Sequence, residues 1–93
     1  MFTLQIEHAI KDFGMWMGAY GNDPLGRCAS GVVAERIYRP VDDDHYVVLD
    51  LDFTTVDGAE KFLERLRSQV WSTSAASPAL AGGPKTRIAE QQS

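Results

Sequence analysis

The chain has 93 residues, 44% hydrophobic and 24% charged, with 9 Lys plus Arg against 13 Asp plus Glu and a net charge of −4. That is material for one small folded domain over residues 1–93, not for a disordered segment or a second core. The acidic balance disfavours nucleic acid as a partner and no apolar run nears the ~20 residues of a membrane span. The lone Cys28 leaves no internal disulfide, and the N-terminus lacks a signal peptide's basic and apolar regions, so a cytoplasmic setting is expected.

Residues 2–8 alternate strictly, with Phe2, Leu4, Ile6 and His8 on one side and Thr3, Gln5 and Glu7 on the other, which predicts a half-buried strand. Asp12 is placed to cap a helix whose Phe13, Trp16, Met17 and Tyr20 share one face. Gly14 and Gly18 weaken that helix by about 1 kcal/mol each relative to Ala, so packing must hold it. Gly21-Asn22-Asp23-Pro24 ends it. Residues 25–31 read as a loop or one short helical turn, residues 32–39 as a strand, Pro40 to Asp44 as a turn, and residues 45–53 as the clearest strand. The last two strands should pair as an antiparallel hairpin.

Thr54 or Thr55 can cap a second helix, with Asp57 and Glu60 in its first turn. Its apolar stripe is Ala59, Phe62, Leu63, Leu66 and Val70, and Glu60, Lys61, Glu64, Arg65 and Arg67 form its wet face. Residues 72–84 are small and turn-rich, with the composition of a tether or lid; residues 85–90 are a candidate edge strand, and residues 91–93 should fray. The resulting order β-α-β-β-α-β is an α+β, ferredoxin-like arrangement. It is a four-stranded antiparallel sheet with two helices on one face.

The alternation assigns Leu4, Ile6, Val47, Leu49, Leu51 and Phe53 to the helices. It leaves Thr3, Gln5, Glu7, Tyr46, Val48, Asp50 and Asp52 on the open face. Arg36, Lys85 and Arg87 are the cations available to balance Glu7, Asp50 and Asp52. An RNA-binding sheet does not fit, because this face carries carboxylates where stacking aromatics and basic residues would be needed.

No thiolate pair, glycine-rich phosphate loop or spaced ligand set is present, so no metal and no cofactor is expected. Asp42-Asp43-Asp44-His45 has ligand chemistry, but adjacent turn residues point in different directions, and a solvated turn is the simpler reading. Cys28 has only the neighbouring Arg27 to activate it, and an incidental thiol is expected. The bulky face of the first helix has two readings. Trp16 and Tyr20 can line an apolar pocket with His8, Asp23, Arg27 and Ser30 as its few polar groups. They can equally form an aromatic core, with Asp23 and Arg27 bracing the loop.

The chain also resembles a known superfamily. The β-α-β-β-α-β order, Trp16 on the first helix and the hairpin from Gly31-Val32-Val33 to Asp52-Phe53 look like the dimeric α/β-barrel proteins. Among these, Asp23-Pro24-Leu25-Gly26-Arg27, Ser30-Gly31-Val32, Arg39-Pro40-Val41-Asp42-Asp43 and Asp50-Leu51-Asp52-Phe53 are similar to small antibiotic-biosynthesis-monooxygenase-like proteins of actinobacterial type. The resemblance implies a homodimer with two sheets face to face and a cavity between helices and sheet. Some members oxidise polycyclic phenols with molecular oxygen and neither metal nor flavin; others cleave haem or cyclise polyketides. No histidine follows His45 here, so the haem-cleaving set is not matched.

The expectation is a cytoplasmic homodimer holding a small aromatic or polyketide-like molecule, acting as a cofactor-independent monooxygenase or cyclase. His8 is its proton-transfer group, Asp23 and Arg27 orient His8 or the substrate, and Trp16, Tyr20 and Ser30 contact the ligand. The alternative is a non-enzymatic ligand-binding or structural dimer.

Overall fold

The structure is a computed structural model that describes residues 1–23, 25–72 and 83–92. Its elements are β1 (Phe2–Ala9), α1 (Phe13–Gly21), β2 (Ala34–Tyr38), β3 (Tyr46–Phe53), α2 (Val56–Arg65) and β4 (Lys85–Glu90). The sheet order is β2-β3-β1-β4, with every pairing antiparallel. β1 and β3 are central because each alternates apolar and polar residues over eight positions, enough to bury one complete face. Their register sets Leu4 against Leu51, Ile6 against Leu49 and His8 against Val47, so the inward sets coincide. Those side chains form the core with Ile10, Trp16, Leu25, Ala59, Phe62, Leu63 and Val70.

The two helices attach differently. Thr55 caps α2 by accepting the Gly58 N–H at 3.0 Å, and Ala59, Phe62 and Leu63 are buried beneath the helix. The α2 backbone comes close to β1, β3 and β4. Glu60 lies beyond the first turn, which holds only Asp57. Asp12 caps α1 by accepting the Met15 N–H at 2.8 Å, but Trp16 is the only buried side chain of that helix. α1 therefore reaches the core through one long ring, with Phe13 and Tyr20 half-buried beside it.

Several boundaries differ from the sequence expectation. β2 begins at Ala34, not residue 32, because Gly31 sits at φ +102° and the Val32 N–H turns back to the Arg27 carbonyl. β3 begins at Tyr46, because the His45 N–H is held by Asp43 Oδ1 in the turn. The second helix is not regular to Val70. It passes into a π-helical turn at Leu66–Val70, closed by the Trp71 N–H on the Leu66 carbonyl at 2.8 Å. Gln91 is tied by its N–H to the Met1 carbonyl at 3.0 Å, so fraying does not begin there. The segment 25–31 does contain a helical turn, with the Ser30 N–H on the Gly26 carbonyl at 2.9 Å. Pro24, most of the tether at 72–84 and Ser93 lie outside the described residues. No described helix is long and apolar enough to cross a membrane.

Candidate functional site

His8 ends the inward row of β1 and is 4% exposed, the only buried polar or charged side chain among the described residues. Its Nδ1 lies 3.1 Å from the Ala9 carbonyl oxygen. A carbonyl can only accept, so Nδ1 carries the proton. Burial lowers the His8 pKa below its ordinary 6.5, partly offset by that hydrogen bond, and so favours the neutral ring. A neutral imidazole protonated at Nδ1 has its lone pair at Nε2. Nε2 takes no protein hydrogen bond among the described residues, and neither does Trp16 Nε1. Yet no buried polar side-chain atom among them lacks a partner. Both rings are buried in the wall between α1 and the sheet.

From His8 the rings run outward in contact. The His8 and Trp16 centroids are 6.3 Å apart, and Trp16 stacks on Tyr20 at 4.9 Å with 18° between planes. Phe13 flanks Trp16 at 6.1 Å. The Arg27 guanidinium covers the Tyr20 ring, its carbon 3.7 Å from the centroid. The Tyr20 hydroxyl donates to Glu35 Oε2 at 2.8 Å, and Arg27 Nε reaches the same oxygen at 3.0 Å. Burial, then the Glu35 hydrogen bond, push the Tyr20 pKa well above its usual value, against the opposing charge of Arg27.

Arg27 is a hub. It donates to the Tyr20 carbonyl at 2.7 Å, satisfying a backbone acceptor at the end of α1. It also pairs with Asp23 at 3.2 Å, and Asp23 Oδ1 accepts the Arg27 N–H at 2.8 Å. Asp23 holds φ +49°, a left-handed conformation that asparagine and aspartate tolerate. Neither residue touches His8; Trp16 and Tyr20 stand between in the chain of contacts. Ser30 is committed elsewhere, donating to the Leu25 carbonyl at 2.9 Å and accepting from Arg65 at 3.0 Å. The structure thus brings His8, Trp16, Tyr20, Arg27 and Asp23 into one contiguous cluster and sets Ser30 in a brace beside it. At the outer end of the cluster, Asp23, Arg27, Cys28, Glu35 and residues 32–34 line a shallow depression of about 260 Å³.

Sequence reasoning missed Glu35. Ile37 lies two residues later on the inward side, against Leu49, and this period-2 relation would have placed Glu35 inward as well. It missed Arg65 too, which leaves the wet face of α2 to hold Ser30 and the Leu25 carbonyl.

On the open face, Arg36 grips Asp52 with two hydrogen bonds of 2.9 and 3.0 Å and lies 3.7 Å from Asp50. Thr3 donates to Asp52 at 2.7 Å, and Tyr46 to Glu7 at 2.9 Å. The Arg36 hydrogen bonds lower the Asp52 pKa. His45 is exposed, its Nδ1 on the Lys11 carbonyl at 2.9 Å. No group able to hold a metal ion forms among the described residues.

No protein-family model and no curated relative matches the chain. Solved structures do. The cofactor-independent oxygenase SnoaB from Streptomyces nogalater superposes with TM-score 0.73 at 12% identity, covering 99% of this chain and 93% of its own. The chain has the ferredoxin-like fold of the antibiotic-biosynthesis-monooxygenase-like proteins. A provisionally named antibiotic biosynthesis monooxygenase from Nitrosomonas europaea gives TM-score 0.72 at 17% identity, covering 98% of each chain. A dimeric ferredoxin-like protein from an uncultured marine organism gives 0.66 at 10% identity, covering 95% and 90%. At these identities the likeness establishes fold and not chemistry.

Proposed function

We propose that the protein is a single-domain cytoplasmic homodimer that binds a small aromatic, phenol-bearing molecule between α1 and the sheet and oxidises it with molecular oxygen. The observation that carries this reading is a buried His8, protonated at Nδ1, at the inner end of a contiguous row of rings through Trp16 and Tyr20. His8 Nε2 is the base. It takes the proton of a bound phenol or enol and leaves an electron-rich anion that can react with oxygen. Trp16 supplies a flat apolar surface and an N–H donor toward the ligand. Tyr20 supports Trp16 by stacking. Asp23 and Arg27 act through Tyr20 as positioning residues, and Ser30 holds the loop that carries them. The SnoaB and monooxygenase-like neighbours support an oxygenase reading, and the dimeric neighbour supports a homodimer, which in our reading joins through the open face.

The test is oxygen uptake by the purified protein with a panel of electron-rich polycyclic phenols. Turnover is expected, with loss in His8→Gln while the fold, followed by circular dichroism, is retained. Turnover unchanged in that variant would make His8 structural. A second reading, a non-enzymatic binding or structural module, is favoured by one observation: Phe13 and Tyr20 both pack on Trp16, as in an ordinary aromatic core. On that reading no phenol in the panel shifts the Trp fluorescence, and Trp16→Ala only destabilises.

A further inference from the structure

The stack of Trp16 on Tyr20 has a second consequence that requires no bound substrate. Trp16 is the buried indole of the cluster, and Tyr20 is its only stacked neighbour among the described residues. Tryptophan and tyrosine are the side chains most easily oxidised by one electron, and rings in contact exchange electrons readily. Tyrosine gives up an electron easily only if its phenolic proton leaves at the same time, because the phenol radical cation is a very strong acid. Tyr20 has its acceptor in place: Glu35 Oε2, 2.8 Å away. The side chain of Glu35 is 42% exposed, so a proton received there can pass to water. The Arg27 guanidinium over the ring disfavours positive charge on it, which further couples electron loss to proton loss.

The other tyrosines lack this combination. Tyr46 also donates to a carboxylate, Glu7, but on the open face and without a ring contact to tryptophan among the described residues. Tyr38 is exposed on the edge strand β2.

We propose that Trp16 and Tyr20 form a one-electron relay that carries oxidising equivalents out of the buried wall to Tyr20, whose proton leaves through Glu35. An oxygen-derived radical, the oxidant class, takes one electron from Trp16 and leaves an indole radical cation. Tyr20 returns one electron to Trp16 as its hydroxyl proton moves to Glu35. Trp16 is restored, Tyr20 becomes a neutral phenoxyl radical, and Glu35 a neutral acid that releases its proton to water. A soluble one-electron reductant such as ascorbate then restores Tyr20, which regains its proton. The relay protects the wall from irreversible indole oxidation.

The experiment is flash photo-oxidation of tryptophan in the full-length protein with an electron scavenger, followed by transient absorption. It generates the radical without substrate, so it can fail or succeed independently of the oxygenase reading. The indole radical of the wild type is expected to convert into a tyrosyl radical. Conversion should be lost in Tyr20→Phe and in Trp16→Phe, each of which keeps a ring in the stack, and slowed in Glu35→Gln. It should persist in Tyr38→Phe and Tyr46→Phe. Undiminished conversion in Tyr20→Phe, or loss in Tyr38→Phe or Tyr46→Phe, overturns the relay. A wild-type rate in Glu35→Gln overturns the proton assignment.

Discussion

His8 shows how a buried neutral side chain couples stability to pH. Its folded pKa lies below the ordinary 6.5, so between the two values the unfolded chain binds more protons than the folded one. Its contribution is fully present above about pH 6.5 and is lost as the pH falls through the lowered folded value. Denaturant titrations from neutral to mildly acidic pH should show that slope, and His8→Gln should flatten it. If His8 is the base, the limiting rate constant for phenol oxidation falls over the same acidic range, because the protonated ring has no lone pair to offer.

Arg27 is the other informative residue. Its guanidinium serves Tyr20 twice, through the ring and the backbone carbonyl, and meets two carboxylates. Arg27→Met keeps the aliphatic stem but leaves those groups without their donor. A loss of about 1–3 kcal/mol is expected by urea unfolding, within the range for removing one partner of a hydrogen-bonded group. None of the Arg27 contacts was legible in the sequence beyond the Asp23 pairing, because a long side chain's partners depend on what the fold brings beside it.

The two helices contrast at the element scale. The apolar stripe of α2 was readable at its spacing, and Ala59, Phe62 and Leu63 are buried as that spacing requires. α1 has bulky residues on one face but sinks only Trp16. Trp16→Ala should therefore cost about 3–5 kcal/mol, the usual range for truncating a buried aromatic. Amide exchange should show α1 released before α2. The converse change is also available. A Cβ at Gly18 would meet nothing within 4 Å, so Gly18→Ala should stabilise the protein by about 0.5–1 kcal/mol through helix propensity, read as a raised unfolding midpoint. Gly14 differs: a Cβ there would come within 3.2 Å of Asp12 Oδ2, the cap itself. The boundaries of β2 and β3 escaped the sequence reading for a related reason. Val32 and His45 have strand-like neighbours, but their N–H groups are claimed by Arg27 and Asp43 in the adjoining turns.

For the whole molecule, the proposed homodimer rests on the open sheet face. Arg36, Asp52, Asp50 and Thr3 form a flat polar network on it, with Tyr46 and Glu7 alongside. If two such faces meet, native mass spectrometry of the purified protein should give twice the chain mass, and Arg36→Glu should lower the dimer fraction by placing three carboxylates together. A wild-type monomer would overturn the homodimer, and extra retained mass would supply the ligand.

The sequence by itself determined the element order, the Asp12 cap of α1 and the inward and outward faces of the central strands. Those depend on residues within one or two turns of each other, and a period of two or of 3.6 is visible without any fold. Only the tertiary structure decided that His8 is buried with its Nδ1 on the Ala9 carbonyl, that Glu35 meets Tyr20 and Arg27, and that Arg65 holds Ser30. Each of these joins residues on separate elements, and their meeting depends on strand register and helix placement, which no local pattern encodes.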